Sequence, residues 1–164
     1  MSTTVQGVDA RAYLKGFLGA MVDMTSKDIR AIPDDKWHAT YGGCTKSACD
    51  AAVDSIGTLA WTAKALAGNT EAVGESDLAA RLRADCSTKE GAIAKLQASG
   101  NAFMAALSDA SDESLNAIVT APWGVDMPLF AIAQIAASHV WYHDGQLNYI
   151  QMLLGDENIH WRDA

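Results

Sequence analysis

Residues 127–155 read MPLFAIAQIAASHVWYHDGQLNYIQMLLG. The stretch is apolar on more than one side, holds no proline after Pro128, and ends at Gly155, where a left-handed residue closes a helix. Steps of three and four from Leu129 pick out Leu129, Ile132, Ala136, His139, His143, Gln146, Ile150 and Leu153, the spacing of a stripe that faces a bundle axis. A helix over about Met127–Leu154 is predicted, with three polar side chains in the middle of its apolar seam.

Burying an imidazole or an amide without partners costs about 1–3 kcal/mol each, so His139, His143 and Gln146 require a polar layer. Histidines at i and i+4 share one helical face and can reach one divalent transition metal. Water, or hydrogen bonds between packed histidines, answers the same need, and spacing alone leaves the two open.

Three more helices account for the rest. The first runs from about Asp9 to Ile32, with an apolar face of Tyr13, Leu14, Phe17, Leu18, Met21, Val22 and Met24, and Pro33 stops it. The connection PDDKWHATYGGCT is loop-like and places Thr45 as a cap for the second helix, which ends near Ala67. Ser76 is a cap for a third, read as one long arm through residue 108 that Gly91 or Gly100 can disturb. DASDESLNAIVTAPWGVDMP then reads as a helical turn and an irregular crossover, with Asp126 capping the last helix. Four long helices and one longer connection make a single all-α domain, a four-helix bundle over residues 1–164, without repeats or low-complexity tracts.

In the second helix, Cys49, Val53, Ile56, Ala60, Ala63 and Ala67 form a small apolar seam. The row beside it holds Asp50, Asp54, Gly57 and Trp61, so Asp54 can lean toward the axis or stay a solvated acid. His38 and His160 read as surface residues. The tryptophans at 37, 61, 123, 141 and 161 read as packing the core and its ends, with Trp123 in APWG at an entrance. Asp144 points roughly 100° away from His143 and reads as a solvated or interhelical acid, not a general base.

Twelve basic against twenty acidic residues give a formal charge of −8, and the basic residues are scattered, which argues against nucleic acid as a partner. No stretch approaches the roughly 20 apolar residues of a membrane span, and MSTTVQGVDARAYLKG lacks the order of a signal peptide, so a soluble, cytoplasmic protein with no membrane partner is expected. Cys44, Cys49 and Cys86 have no zinc-ribbon spacing and read as reduced thiols.

The segment HVWYHDGQLNYIQMLLGD resembles the last-helix signature of the DinB-like superfamily, in which two histidines separated by three residues precede Gly-Gln-Leu and a helix ending in Leu-Gly. The order of helices and connections matches along essentially the whole chain, although only this segment is specific. The resemblance implies a four-helix bundle, often a homodimer, that holds a divalent metal by one histidine of the second helix and two of the fourth. It also implies thiol-dependent transferase or isomerase activity in some members.

His139 and His143 match the pair. Where the second-helix histidine is expected, SACDAAVD supplies Asp54, so either Asp54 is the third ligand or the metal is lost. The first alternative is a metal-dependent enzyme, a hydrolase or a thiol-dependent transferase. It would use zinc, nickel or iron on Asp54, His139 and His143, with Gln146 orienting a ligand carbonyl or water and a small molecule or low-molecular-weight thiol as substrate. The second is a metal-free bundle that binds a small molecule or acts through oligomerisation, with His139, His143, Gln146 and Asp54 in a hydrogen-bonded network.

Overall fold

The computed structural model describes residues 9–70 and 75–162, and of 75–79 the backbone alone. Six α-helices and one small hairpin follow in order: α1 (Ala10–Ala31), α2 (Ala48–Leu66), α3 (Glu75–Asp85), α4 (Lys89–Asp109), α5 (Asp112–Asn116), β1 (Ile118–Thr120), β2 (Asp126–Pro128) and α6 (Leu129–Leu153). Four of the helices are long, and α1, α4, α2 and α6 pack each on the next around a square, with α1 diagonal to α2. This is the expected four-helix bundle, with α3 laid against α2.

The helix ends follow from single side chains. Asp9 accepts from the backbone N–H of Arg11 and Ala12 at 3.0 and 3.1 Å to start α1, and Ile32, before Pro33, is extended. The cap of α2 is Ser47, not Thr45: Ser47 accepts from Asp50 N at 3.1 Å, whereas Thr45 closes a turn inside the loop, donating to Gly42 O and accepting from Tyr41 N.

The expected third arm is two helices. Ser76 falls inside α3, its side chain outside the described ones, and the chain breaks at residues 86–88, where Thr88 caps α4 by accepting from Gly91 N. The carbonyls freed there find donors on the loop before α2: Trp37 Nε1 reaches Cys86 O at 2.9 Å and His38 Nε2 reaches Ser87 O at 3.0 Å. Tertiary partners thus satisfy the carbonyls that an unbroken helix would have satisfied internally.

The crossover is also more regular than expected. Ile118, Val119 and Thr120 pair antiparallel with Pro128, Met127 and Asp126, and Gly124 turns the hairpin at φ 80°. Asp126 accepts from Thr120 Oγ1 at 2.7 Å across the strands, so it does not cap α6, which starts after Pro128 without a side-chain cap.

The core runs the length of the bundle through Leu18, Ile29, Ile56, Leu59, Leu96, Phe103, Ile132 and Val140, all fully buried. Of the expected seam of α6, Leu129, Ile132, Ala136, His143 and Ile150 are buried, His139 and Gln146 are half-buried, and Leu153 is exposed. In α2 the buried arc is wider than the predicted row, because α4 and α6 flank it and α3 covers a third side; Ala60 is half-buried and Ala67, already the C-cap, is exposed. Of the tryptophans, Trp37 is buried and Trp61 half-buried, while Trp123, Trp141 and Trp161 stay exposed. Cys49 and Cys86 are buried free thiols, and Cys44 is an exposed one. Among the described residues no helix is long and apolar enough to cross a membrane.

Candidate metal centre

The packing of α2 against α6 brings Asp54 to the histidine pair. One ligand atom from each of Asp54, His139 and His143 lies within 4.8 Å of the other two. His143 Nε2 is 3.2 Å from His139 Nε2 and 3.2 Å from Asp54 Oδ2. The two rings stand at 90° with centroids 4.4 Å apart, so the nitrogens point at a common place. Tyr142 stacks on His139 and meets His143 edge-on.

The protonation pattern follows from a fourth residue. His143 Nδ1 lies 2.7 Å from Gln146 Oε1, and that oxygen only accepts, so Nδ1 carries the proton and Nε2 presents a lone pair. Burial lowers the pKa of His143, outweighing the bond to Gln146 and the nearby Asp54 charge, and burial likewise lowers that of His139. Both rings are therefore held toward the neutral form.

Asp54 stays ionised: burial raises its carboxyl, but the hydrogen bond and charge of Lys46 oppose burial, and the carboxyl lies below the usual range. A carboxylate oxygen and an imidazole lone pair thus face each other across 3.2 Å without a proton between them. His139 cannot repair this. Its Nδ1 is buried without a partner, so a proton on Nε2 leaves Nδ1 an orphan acceptor, and a proton on Nδ1 leaves an orphan donor. A cation between the three ligand atoms satisfies the set, and a two-histidine, one-carboxylate group suits zinc, iron or nickel with positions left open.

Access runs along α2. A cavity of about 590 Å³ opens beside Asp54 between α2, α3 and the hairpin turn, lined by Lys46, Gly57, Trp61, Arg83 and Trp123 among others. That volume falls within the ordinary range for small-molecule sites. Trp123 is at the entrance, as expected. Lys46 and Arg83 were not singled out in the sequence: each is a lone basic residue, and only the fold sets Lys46 against Asp54 and Arg83 Nε 3.2 Å from Asp50 Oδ1.

The remaining candidates lie elsewhere. His38 is exposed, and His160, half-buried, pairs with Asp156 at 2.7 Å. Asp144 faces α1, buried beside Asp28, with Asn148 Nδ2 donating to both carboxylates. It is an interhelical acid.

No protein-family model matches the sequence, and no curated protein does. Solved structures do match. A structure assigned to the DinB family from Exiguobacterium sibiricum aligns with a TM-score of 0.72 at 24% identity, covering 93% of this chain and 97% of that one. The fold is DinB-like. A DinB-like protein of Bacillus subtilis aligns at 0.63 and 16% identity over 89% and 94% of the two chains. A mycothiol-dependent maleylpyruvate isomerase aligns at 0.63 and 12% identity, over 84% of this chain and 60% of that one.

Proposed function

We propose that the chain is a DinB-like metal-dependent enzyme of the cytoplasm, a hydrolase or a thiol S-transferase, that holds zinc, nickel or iron on Asp54, His139 and His143. The observation that carries the reading is the convergence of Asp54 Oδ2 and His143 Nε2 beside His139 Nε2, with Gln146 at His143 Nδ1 and nothing bonded to His139 Nδ1.

A metal held there supplies a Lewis acid that lowers the pKa of a bound water or thiol. The chain's own residues do the rest. Gln146 fixes the His143 tautomer through Nδ1, and its orientation of a ligand carbonyl or water is part of the proposal. Lys46, beside Asp54, holds the carboxylate ionised and places a positive charge at the cavity wall. Trp61 and Trp123 offer flat apolar surface to a small organic substrate. The thiol-dependent alternative is supported by the mycothiol-dependent structural neighbour. A homodimer is part of the same proposal.

The test is elemental analysis of protein purified without a histidine tag, beside Asp54→Ala. One equivalent of a transition metal in the parent and none in the variant is the expected result. Absence of metal from both after incubation with zinc, nickel and iron salts overturns the assignment.

The metal-free reading is favoured by one observation, the 3.2 Å contact of Asp54 with His143, which a proton on Nε2 would also satisfy. It requires a charged imidazole where burial favours the neutral one. In that case Asp54→Asn shifts the NMR titration of His143 in metal-free protein, and an unaltered titration excludes the network.

A further inference from the structure

The outer face of α6 is built to meet something. Ala131, Ile135, Ser138, Tyr142, Gly145, Tyr149 and Met152 recur at steps of four and three, on the side of the helix turned away from the bundle. Ile135 is 42% exposed, Tyr142 63%, Tyr149 60% and Met152 65%. Asp144 is the one Asp, Glu, Lys or Arg in α6 and is buried, and burial holds His139 toward the neutral form, so this face carries no fixed charge. Trp141, packed edge-on against Phe17 of α1, extends it toward Tyr13.

Gly145 sits in its centre. Glycine is among the poorest residues for a helix interior, and here the fold gives no reason for it, because a Cβ at this position meets nothing within 4 Å. Small and large residues alternate along the stripe from Ala131 to Tyr149, with Tyr142 and Tyr149 on either side of Gly145 and Ser138 one step further on. Such a surface complements itself in one orientation. Laid antiparallel on a second copy, Tyr142 lies over Gly145, Tyr149 over Ser138 and Ile135 over Met152, each contact occurring twice as a two-fold interface requires. Laid parallel, tyrosine meets tyrosine and glycine meets glycine.

We infer that this face is the homodimer interface, an antiparallel pairing of α6 with α6 of a second copy in the register that seats each tyrosine over a glycine or a serine. It gives the proposed homodimer its surface and does not depend on the metal. The half-exposed aromatic and aliphatic side chains of α6 and α1 supply roughly 600 Å² per copy, close to the roughly 800 Å² per partner of a standard stable interface. A charged partner would find no opposite charge there.

The pairing also bears on the metal centre. His139 has a second opening, a groove on this face lined by Ala131, Gln134, Ile135, Ser138 and Tyr142. A second copy seated on Ser138 and Tyr142 covers the groove and leaves the cavity beside Asp54 as the way in.

Sedimentation velocity at micromolar concentration reads the proposal, with metal content measured on the same samples so that loss of the dimer and loss of the metal are told apart. The parent is expected to sediment as two chains. Gly145→Glu is expected to sediment as one chain with its helical circular dichroism unchanged, since its side chain enters open space in the single chain. Ser138→Glu and Tyr149→Lys each dissociate the dimer. The double variant S138E/Y149K restores it, because those positions are eleven residues apart on one helix but opposed across the interface. A parent that is a single chain, a dimer indifferent to Gly145→Glu, or a double variant that stays dissociated overturns the inference.

Discussion

His143 donates from Nδ1 to Gln146 Oε1 over 2.7 Å, and this bond decides which nitrogen of the ring faces Asp54. The partner lies within one turn of the same helix, so the orientation survives small shifts of α2 against α6. Removing the acceptor with Gln146→Leu leaves either tautomer available, and metal affinity is expected to fall about 10- to 100-fold. Gln146→Glu keeps an acceptor and retains the affinity. Competition with a chromophoric chelator measures both, and equal affinities for parent and Gln146→Leu refute the role.

Lys46 acts in the opposite direction. Its ammonium pairs with the carboxylate proposed to bind the metal, and its charge contributes to lowering both histidines. Lys46→Met removes a positive charge from beside a cation site and is expected to raise metal affinity about tenfold. Thermal stability should change little without metal, because the pair is well exposed. The same chelator competition reads the change, and a weaker metal complex in Lys46→Met contradicts it.

Asp144 predicts the pH dependence of stability. Burial first, and the neighbouring Asp28 carboxylate second, raise its pKa from 3.8 to about 7. The unfolded chain releases this proton near pH 4 and the folded chain near 7, so over that interval the folded state binds more protons and stability falls as pH rises, levelling off above. The loss is roughly 2–4 kcal/mol. Asp144→Asn keeps an oxygen for Asn148 and can donate to Asp28. It is expected to unfold at higher urea than the parent at pH 8, with the difference vanishing toward pH 4. A parent curve flat between pH 4 and 7 is the contrary result.

The last helix was readable because its signals agree: a sustained periodicity, a closing glycine and three polar residues on one stripe. Asp54 was readable as a candidate from its place beside the α2 seam, but its contact with His143 depends on how α2 and α6 cross, which no local pattern encodes. The break at residues 86–88 was missed because its cause is distant. Trp37 and His38, some fifty positions earlier, supply the donors for Cys86 and Ser87, while the local alanine and leucine content favours continuation. Asp126 looked like a cap because a short polar residue before an apolar run is one, and the cross-strand bond from Thr120 took its side chain instead. Asp28 lies within an ordinary amphipathic helix, where nothing marks it as the partner of an acid 116 positions later.

Glycines inside helices separate close packing from open space. A Cβ on Gly91 would lie 2.2 Å from the carbonyl oxygen of Asp85, and one on Gly100 would lie 2.9 Å from Cγ2 of Val22. The first obstacle is backbone at the α3–α4 turn, and the second is a branched side chain with little rotamer freedom. Gly91→Ala and Gly100→Ala are each expected to cost about 1–3 kcal/mol despite the better helix propensity of alanine, with Gly91 the costlier. Gly19 is the control: a Cβ there meets Met104 Sδ at an ordinary 3.9 Å, so Gly19→Ala should gain up to about 1 kcal/mol. Urea titration of the three variants orders them. A Gly91→Ala protein as stable as Gly19→Ala would mean that the turn between α3 and α4 is not closed as tightly as this geometry requires.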